Sequence, residues 1–376
     1  MAGIYLHVPF CRKKCNYCDF YSVRDSEGID ELVKCEIKEL VLRKDYIGKT
    51  AVNTIYFGGG TPSLLSINQI DDLLCTVKNV FEVSNNCEIT FEANPEDLSE
   101  DYIYELFQLG INRLSIGIQS FDNDALVFLG RRHDNSKHLF IVETAKKAGF
   151  GNISVDLIFG IPGYNYISYI ESVNRVIQLD IQHISAYSLT LEKNTRFYKL
   201  FENGIYSEIS DDDLLMQFNS TMDLLSANGF FQYEISNYAK EGYKSLHNCS
   251  YWEEVGYLGI GPSSHSYDLV SRQWNVSDTR KYCSYINEAK CFFEVEILSE
   301  NDKFNEYIIR GLRTCRGISL RYIENTFNFK IRKYFHDRLK GLFAEGLVDF
   351  IDDTISLTRR GIFISDYVIR SLYFVP

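Results

Sequence analysis

No stretch of the sequence reaches the roughly 18 consecutive apolar residues that a membrane-spanning helix requires. The opening segment, MAGIYLHVPF, has no basic leader, and the first charged side chain is Arg12. These absences predict a cytoplasmic protein with at most peripheral membrane contact. Positive charge is also short: 39 Lys and Arg stand against 51 Asp and Glu, a formal net charge of -12. A surface this acidic is unsuited to wrapping a phosphate backbone, so no nucleic-acid partner is expected. Internal repeats and low-complexity tracts are missing as well. What is present is ordinary globular material, 45% apolar and 24% charged over 376 residues, enough for a large core and about two domains.

Six short β-rich runs recur, at Ile4–Val8, Thr54–Phe57, Glu88–Phe91, Arg113–Ile118, Ile153–Ile158 and His183–Ser188. Helical patterns follow them, among them Asp30–Lys44, Ser66–Phe81, Ser99–Leu109 and Asn123–Ala148, the last interrupted near Gly130. Such alternation predicts parallel βαβ units. Six units make an α/β fold of the partial, TIM-like (β/α)6 barrel kind, since eight would be needed to close the ring. Asp211–Asp213 are expected to cap the helix running toward Asn228-Gly229. From about Glu300 the pattern turns to compact helices. A hairpin over Leu347–Leu357 with Asp352-Asp353 at its turn follows, then a helix over Thr358–Leu372. This predicts a smaller, mostly helical, winged-helix-like C-terminal domain. The expected division is 1–230 for the barrel, 231–299 for a connecting segment and 300–376 for the tail.

Ten cysteines with no export signal read as reduced thiols. Seven are scattered (Cys35, Cys75, Cys87, Cys249, Cys283, Cys291, Cys315) and are expected to act as small hydrophobes. Cys11, Cys15 and Cys18 fall within eight residues, as C-x3-C-x2-C just after the first strand. Three neighbouring thiolates cannot all pair as disulfides but can ligate metal. Structural zinc wants a fourth ligand, for which only His7 is close. A cubane iron–sulfur cluster can be held by three thiolates with one iron left open. That iron can chelate the amino and carboxylate groups of S-adenosylmethionine (SAM), and one electron from the cluster can then cleave the sulfonium. The spacing favours the cluster. Lys13 and Lys14 either offset the thiolate charge or belong to a solvated loop.

In barrels of this kind chemistry gathers at the C-terminal ends of the strands. There lie the cysteines, Gly58-Gly59-Gly60-Thr61, Glu92, Gln119, Asp156 and Thr190. The glycines permit close backbone approach to a ligand, although GGGTPS lacks the Lys of a phosphate loop.

The motifs YLHVPFCRKKCNYCDFYS, YFGGGTPS, ITFEANPE, RLSIGIQSF, LGRRH, VDLIFGIPG and HNCSYW occur in that order. The ordered set resembles the oxygen-independent coproporphyrinogen oxidase family, and within it the HemW branch of heme chaperones, over nearly the whole chain from Ile4 to about Leu372. The resemblance implies a 4Fe-4S cluster on Cys11, Cys15 and Cys18. It also implies SAM contacts from Tyr5, Tyr17, Gly59, Gly60, Thr61, Glu92, Gln119, Arg131, Asp156 and Thr190. In chemical terms Glu92 suits the SAM ammonium, Arg131 its carboxylate, Asp156 the ribose hydroxyls and Tyr17 the adenine face. Decarboxylating members carry a further cysteine two positions after the third, where this chain has Phe20, which places coproporphyrinogen III decarboxylation in doubt as the alternative activity. The segment His247-Asn248-Cys249-Ser250-Tyr251-Trp252 matches the HNxxYW motif associated with heme, which implies a heme site at His247, Asn248, Tyr251 and Trp252. His265 is a second, weaker candidate for the iron. The implied partners are heme, an acceptor protein for it (a respiratory one among the options) and a reductant for the cluster.

Arg310–Lys340 carries nine Lys and Arg against Glu324 and Asp337. Solvated helix faces are the favoured reading, ahead of an anionic partner and of a winged-helix DNA surface that rests on fold analogy alone.

Overall fold

The computed structural model describes residues 1–24 and 27–375. Strands β1 (Ala2–Val8), β2 (Val52–Gly59), β3 (Val83–Ala93), β4 (Arg113–Gln119), β5 (Ile153–Phe159) and β6 (His183–Ser188) lie side by side in sequence order, all parallel. Between them run α1 (Ile29–Leu42), α2 (Ile67–Val80), α3 (Glu100–Gln108), α4 (Asn123–Leu129) with α5 (His138–Ala148), and α6 (Tyr166–Gln178). Helices α7 (Arg196–Glu202) and α8 (Asp211–Ala227) follow β6. This is the partial (β/α)6 barrel that the alternation predicts.

Parallel strands covered by helices need apolar residues on the covered face. In β1, Ile4, Leu6 and Val8 are fully buried on that side, while Tyr5 and His7 alternate toward the barrel interior. Helix α2 starts with a capping box between Ser66 and Gln69. The break between α4 and α5 falls at Gly130, in the left-handed region with φ of 79°. One expectation is corrected: α8 is capped by Ser210, whose hydroxyl accepts from the Asp213 backbone N–H. Asp211–Asp213 instead occupy its first turn, where they complement the helix dipole.

The sheet is wider than six strands. β7 (Phe231–Gln232) and β8 (Asn237–Ala239) extend it antiparallel beyond β6. After α9 (Leu246–Trp252), β9 (Gly256–Ile260) joins the other side, parallel to β1. β10 (His265–Tyr267), β11 (Ser271–Asn275) and, beyond α10 (Thr279–Asn287), β12 (Phe293–Ile297) continue antiparallel from it. Residues 231–299, read from sequence as a connecting segment, thus supply six strands to the main sheet.

The tail runs α11 (Glu300–Leu312), β13 (Ile318–Ser319), α12 (Leu320–Thr326), α13 (Phe329–Ala344), β14 (Val348–Ile351), β15 (Thr354–Leu357), α14 (Arg359–Phe363) and α15 (Ser365–Leu372). The hairpin turns at Asp352, with φ of 56°. The single helix expected over Thr358–Leu372 is two, parted at Ile364. A core of its own, including Phe304, Ile308, Ile331, Phe335 and Leu372, holds the tail together. No helix of the described residues is long and apolar enough to cross a membrane.

Candidate functional site

The cysteine loop leaves β1 and is pinned at both ends. The Cys11 backbone N–H donates to the Val23 carbonyl at 3.0 Å. Asn16 ties its middle to the barrel: its backbone N–H reaches the Leu129 carbonyl at 3.0 Å and its side-chain amide donates to Phe128 O at 2.7 Å. The carbonyl of Asn16 accepts from the Phe197 N–H at the start of α7. Gly130 is required at this crossing, because a β-carbon there would stand 2.9 Å from the Asn16 side chain.

All three thiols are free and half-buried. Cys11 Sγ accepts from the Thr61 hydroxyl at 3.4 Å, and Cys15 Sγ from Arg131 Nη1 at 3.4 Å. Burial pushes the Cys11 and Cys18 thiols up. A metal there must displace their protons. Gly60 passes so close that a β-carbon would lie 2.7 Å from Phe10 O and 3.0 Å from Cys11 Sγ. His7, the local candidate for a fourth ligand, shares a hydrogen bond at Nδ1 with the Tyr5 hydroxyl at 2.9 Å, its Nε2 is buried without a partner, and it is not among the residues that line the space around the cysteines.

A cavity of about 700 Å³ opens on the three cysteines. Tyr17, Gly59, Gly60, Thr61, Glu92, Gln119, Arg131, Asp156 and Thr190 line it; Tyr5 does not. Tyr5 lies in an aromatic group with Tyr56 and His247. Arg131 is fixed by Asn94 Oδ1 at 2.5 Å and the Gly117 carbonyl at 2.9 Å, while its Nε is buried without a partner. Gln119 Oε1 is likewise buried and unpartnered, on a residue with φ of 69°. A non-glycine residue held left-handed at a strand end is strain of the kind that collects at functional sites.

Two carboxylates face this space. Desolvation and the nearby charge of Asp156 push Glu92 up to about 7, although the Tyr56 hydroxyl donates to it at 2.6 Å. Desolvation pushes Asp156 up to about 6, against a hydrogen bond from Ser185. Buried acids short of cationic partners, beside orphaned polar atoms, suit a ligand carrying positive charge and hydroxyls. The donor set therefore fits SAM, and three thiolates with no fourth side-chain ligand placed on them among the described residues fit a cubane with one free iron.

The residues of HNCSYW form α9, but not an open porphyrin pocket. His247 is buried, with Nδ1 on Thr54 Oγ1 at 2.8 Å and Nε2 on the Tyr251 hydroxyl at 2.8 Å. Its ring stacks on Tyr56 at 4.9 Å, and desolvation lowers it to about 3. Trp252 Nε1 donates to Glu234 at 2.7 Å, and Asn248 is half-buried beside them. The structure thus packs the motif against β1 and β2, with both imidazole nitrogens of His247 hydrogen-bonded. His265 is exposed, 6.2 Å from the Trp274 ring.

Sequence reasoning missed Asn16, Asn94 and Tyr56. All three stood inside quoted motifs without an assigned task.

Residues 5–176 match the radical SAM superfamily and residues 298–364 the HemN C-terminal domain. The chain is 34% identical to the heme chaperone HemW of Bacillus subtilis, over 96% of each chain. It is 34% identical to that of Lactococcus lactis, over 95% of this chain and 93% of the relative. In fold it is similar to the coproporphyrinogen III oxidase HemN of Escherichia coli. That likeness covers 99% of this chain and 90% of the other, with a TM-score of 0.85 and 22% identity.

Proposed function

The chain belongs to the HemW family of heme chaperones, radical SAM proteins with a HemN-type C-terminal domain, and we propose on that footing that it binds heme and passes it to an acceptor protein. In this reading Cys11, Cys15 and Cys18 hold a 4Fe-4S cluster and the adjoining cavity takes SAM, in a cytoplasmic protein whose smaller tail domain begins at about residue 300. The single observation carrying the cofactor part is that three free thiols and two desolvated carboxylates open on one cavity. The cluster, when bound, supplies the electron that SAM chemistry requires.

The chain's own residues do the rest. Glu92 holds the SAM amino group through its N–H donors and is oriented by Tyr56. Arg131 meets the SAM carboxylate and neutralises charge at Cys15. Asp156 takes ribose hydroxyls, Tyr17 packs beside the adenine, and Gly59 and Gly60 let backbone groups come close. Gln119 and Thr190 add polar contacts at the rim. Phe20, standing where decarboxylating relatives have cysteine, is 71% exposed at the mouth of the same cavity.

Heme binding at the HNCSYW helix requires a second conformation, because both imidazole nitrogens of His247 are engaged. Nε2 becomes available when Tyr251 swings away, so the tyrosine hydroxyl competes with iron. A hydrogen bond of about 1 kcal/mol sets the size of this competition. Tyr251→Phe is therefore expected to tighten heme binding roughly fivefold, while His247→Ala removes the iron ligand and the heme absorption it produces. Optical titration of the anaerobically purified protein, with iron, sulfide and heme quantified together, measures both. Equal heme affinity in wild type and His247→Ala would remove the ligand, and no binding by wild type would remove the chaperone reading. Product analysis with coproporphyrinogen III and SAM separates this from the decarboxylase alternative.

A further inference from the structure

The inward face of β4 carries, in order, Arg113, Ser115, Gly117 and Gln119, while Leu114, Ile116 and Ile118 are buried against the helices. Ser115, Gly117 and Gln119 line the SAM cavity, and Arg113 lies beneath its floor, outside the lining. Strand register puts Thr90 beside Arg113 and Glu92 beside Ser115, so the arginine stands one inward layer below that carboxylate. Arg113 is 1% exposed. Its Nε is buried without a hydrogen-bond partner, and among the described residues no carboxylate forms an ion pair with it. A buried cation without a partner works against folding. Packing alone would favour an apolar residue at this position.

Arg113 acts instead at a distance. Desolvation raises Glu92 and Asp156, and the positive charge of Arg113 works on both in the opposite sense. The other ionisable groups around the two carboxylates are Tyr5 from β1, Tyr56 from β2, Tyr187 from β6, Tyr251 from α9 and Arg131 after α4. Burial raises all four tyrosines, so they stay neutral. Arg131 is already committed to Asn94, Gly117 and Cys15. We propose that Arg113 is a positioning residue for SAM: from below the floor, its unpaired guanidinium supplies the field that lets Glu92 and Asp156 carry negative charge in their desolvated setting. The proposal rests on the reading of this cavity as the SAM site. A cation in direct contact would occupy the carboxylate oxygens and compete with the ligand for them. One layer down it favours their charge and leaves the oxygens free, and in a low-dielectric interior that field reaches further than it would in water.

Carboxyl carbon NMR of the full-length chain, with labelled glutamate and Glu92 assigned by the signal lost in Glu92→Gln, reads the charge state directly and needs neither SAM nor cluster. Arg113→Met, of similar reach and without charge, should move the Glu92 midpoint upward from about 7 by about one pH unit. Arg113→Lys should hold it within about half a unit. Calorimetric titration of cluster-free Arg113→Met should show SAM affinity reduced about tenfold at pH 6 and only about twofold at pH 8. Methylthioadenosine, which keeps the nucleoside and lacks the amino acid, should bind the two proteins within about twofold. Arg113→Met should also melt no lower than wild type, because an unpaired buried charge has been removed. Arg113→Gln carries the same comparison where the methionine variant does not fold. An unchanged Glu92 midpoint would overturn the proposal, with SAM binding by wild type leaving the cavity reading intact. Equal losses for both ligands at every pH, together with a lower melting temperature, would make Arg113 a packing residue and overturn it as well. Wild type that binds no SAM, with or without its cluster, would remove the cavity reading and the role of Arg113 with it.

Discussion

At the scale of single residues the SAM cavity is governed by two carboxylates that water does not reach. With Glu92 raised to about 7 by desolvation, the empty site is mostly protonated at pH 6 and mostly ionised at pH 8. In cluster-free protein, where no iron takes the amino nitrogen, an ammonium ligand binds the ionised form and expels the proton, so SAM affinity must rise with pH through about 7. The expected loss is about tenfold for each pH unit below that value. Calorimetric titration at pH 6 and 8, in buffers of different ionisation enthalpy, reads both the affinity and the released proton. Tyr56→Phe removes a donor to the charged carboxylate and should move the midpoint upward. His247 packs against Tyr56, so His247→Ala should weaken SAM binding as well as heme binding. An affinity independent of pH and of Tyr56 would separate Glu92 from the ammonium.

Glu36 gives a stability prediction of the same kind. It is fully buried beside Glu39, and neither of its carboxylate oxygens has a partner. Desolvation, then the charge of Glu39, holds it well above the usual carboxylate range. Arg43 and Tyr282 in the same cluster bond to Glu39 rather than to Glu36. The folded chain keeps a proton here that the unfolded chain releases above about its ordinary value of 4.5. Folding therefore binds more protons, and stability falls as pH rises past that point. Glu36→Gln should raise the melting temperature at pH 8 and change it less at pH 5. A larger gain at pH 5 would reverse the sign of this argument.

These residues also show what a sequence reveals. The cysteines, Glu92, Gln119 and Asp156 were legible because strand ends in a barrel share one rim and the motifs mark them. Tyr5, in the first motif, sits inside β1 one layer behind the lining, beside Tyr56 and within the field of Glu92. Asn16 and Asn94 act through bonds to Leu129, Phe128 and Arg131, partners more than thirty residues distant, and no local pattern signals such a bond.

Among the elements, α9 is the joint of the molecule. Its first residues rest on β2 and β3, where Glu88 accepts from the Leu246 and His247 N–H groups at 3.0 Å. Its end meets the tail through Trp252 under Arg313, Glu253 with Arg316, and Glu254 with Arg310. A conformational change at HNCSYW is thus mechanically connected to the tail. Trp252→Phe keeps an aromatic ring but leaves the half-buried Glu234 carboxylate with its Asn237 donor and without its indole one. Such a loss costs about 1–3 kcal/mol and should appear as a lower midpoint in chemical denaturation of the heme-free protein. An unchanged midpoint would show that the bond carries no load. The same contacts explain the basic run of residues 310–340. Arg310, Arg313, Arg316, Arg332 and Lys340 are in ion pairs, and Lys330 and Arg338 lie over aromatic rings. Seven of its nine cations are therefore engaged within the fold, which leaves little of the run for an anionic partner.

For the whole molecule, periodicity located the six parallel strands and the tail hairpin, but not the width of the sheet. β7, β8 and β10 contain two or three residues each, too few for alternation to register. β9 joins the sheet beside β1 after more than two hundred intervening residues, a pairing set by tertiary packing. The six strands that residues 231–299 add cover both edges of the barrel sheet. They leave its C-terminal rim to the cysteine loop and the cavity that opens there.

Metal content decides whether that rim is a cofactor site. Anaerobically reconstituted wild type should contain about four iron and four sulfide per chain, and added SAM should alter the electron paramagnetic resonance spectrum of its reduced cluster. Alanine at Cys11, Cys15 or Cys18 should abolish both. Full iron and sulfide in those alanine variants, or none in wild type, would contradict the account at its base.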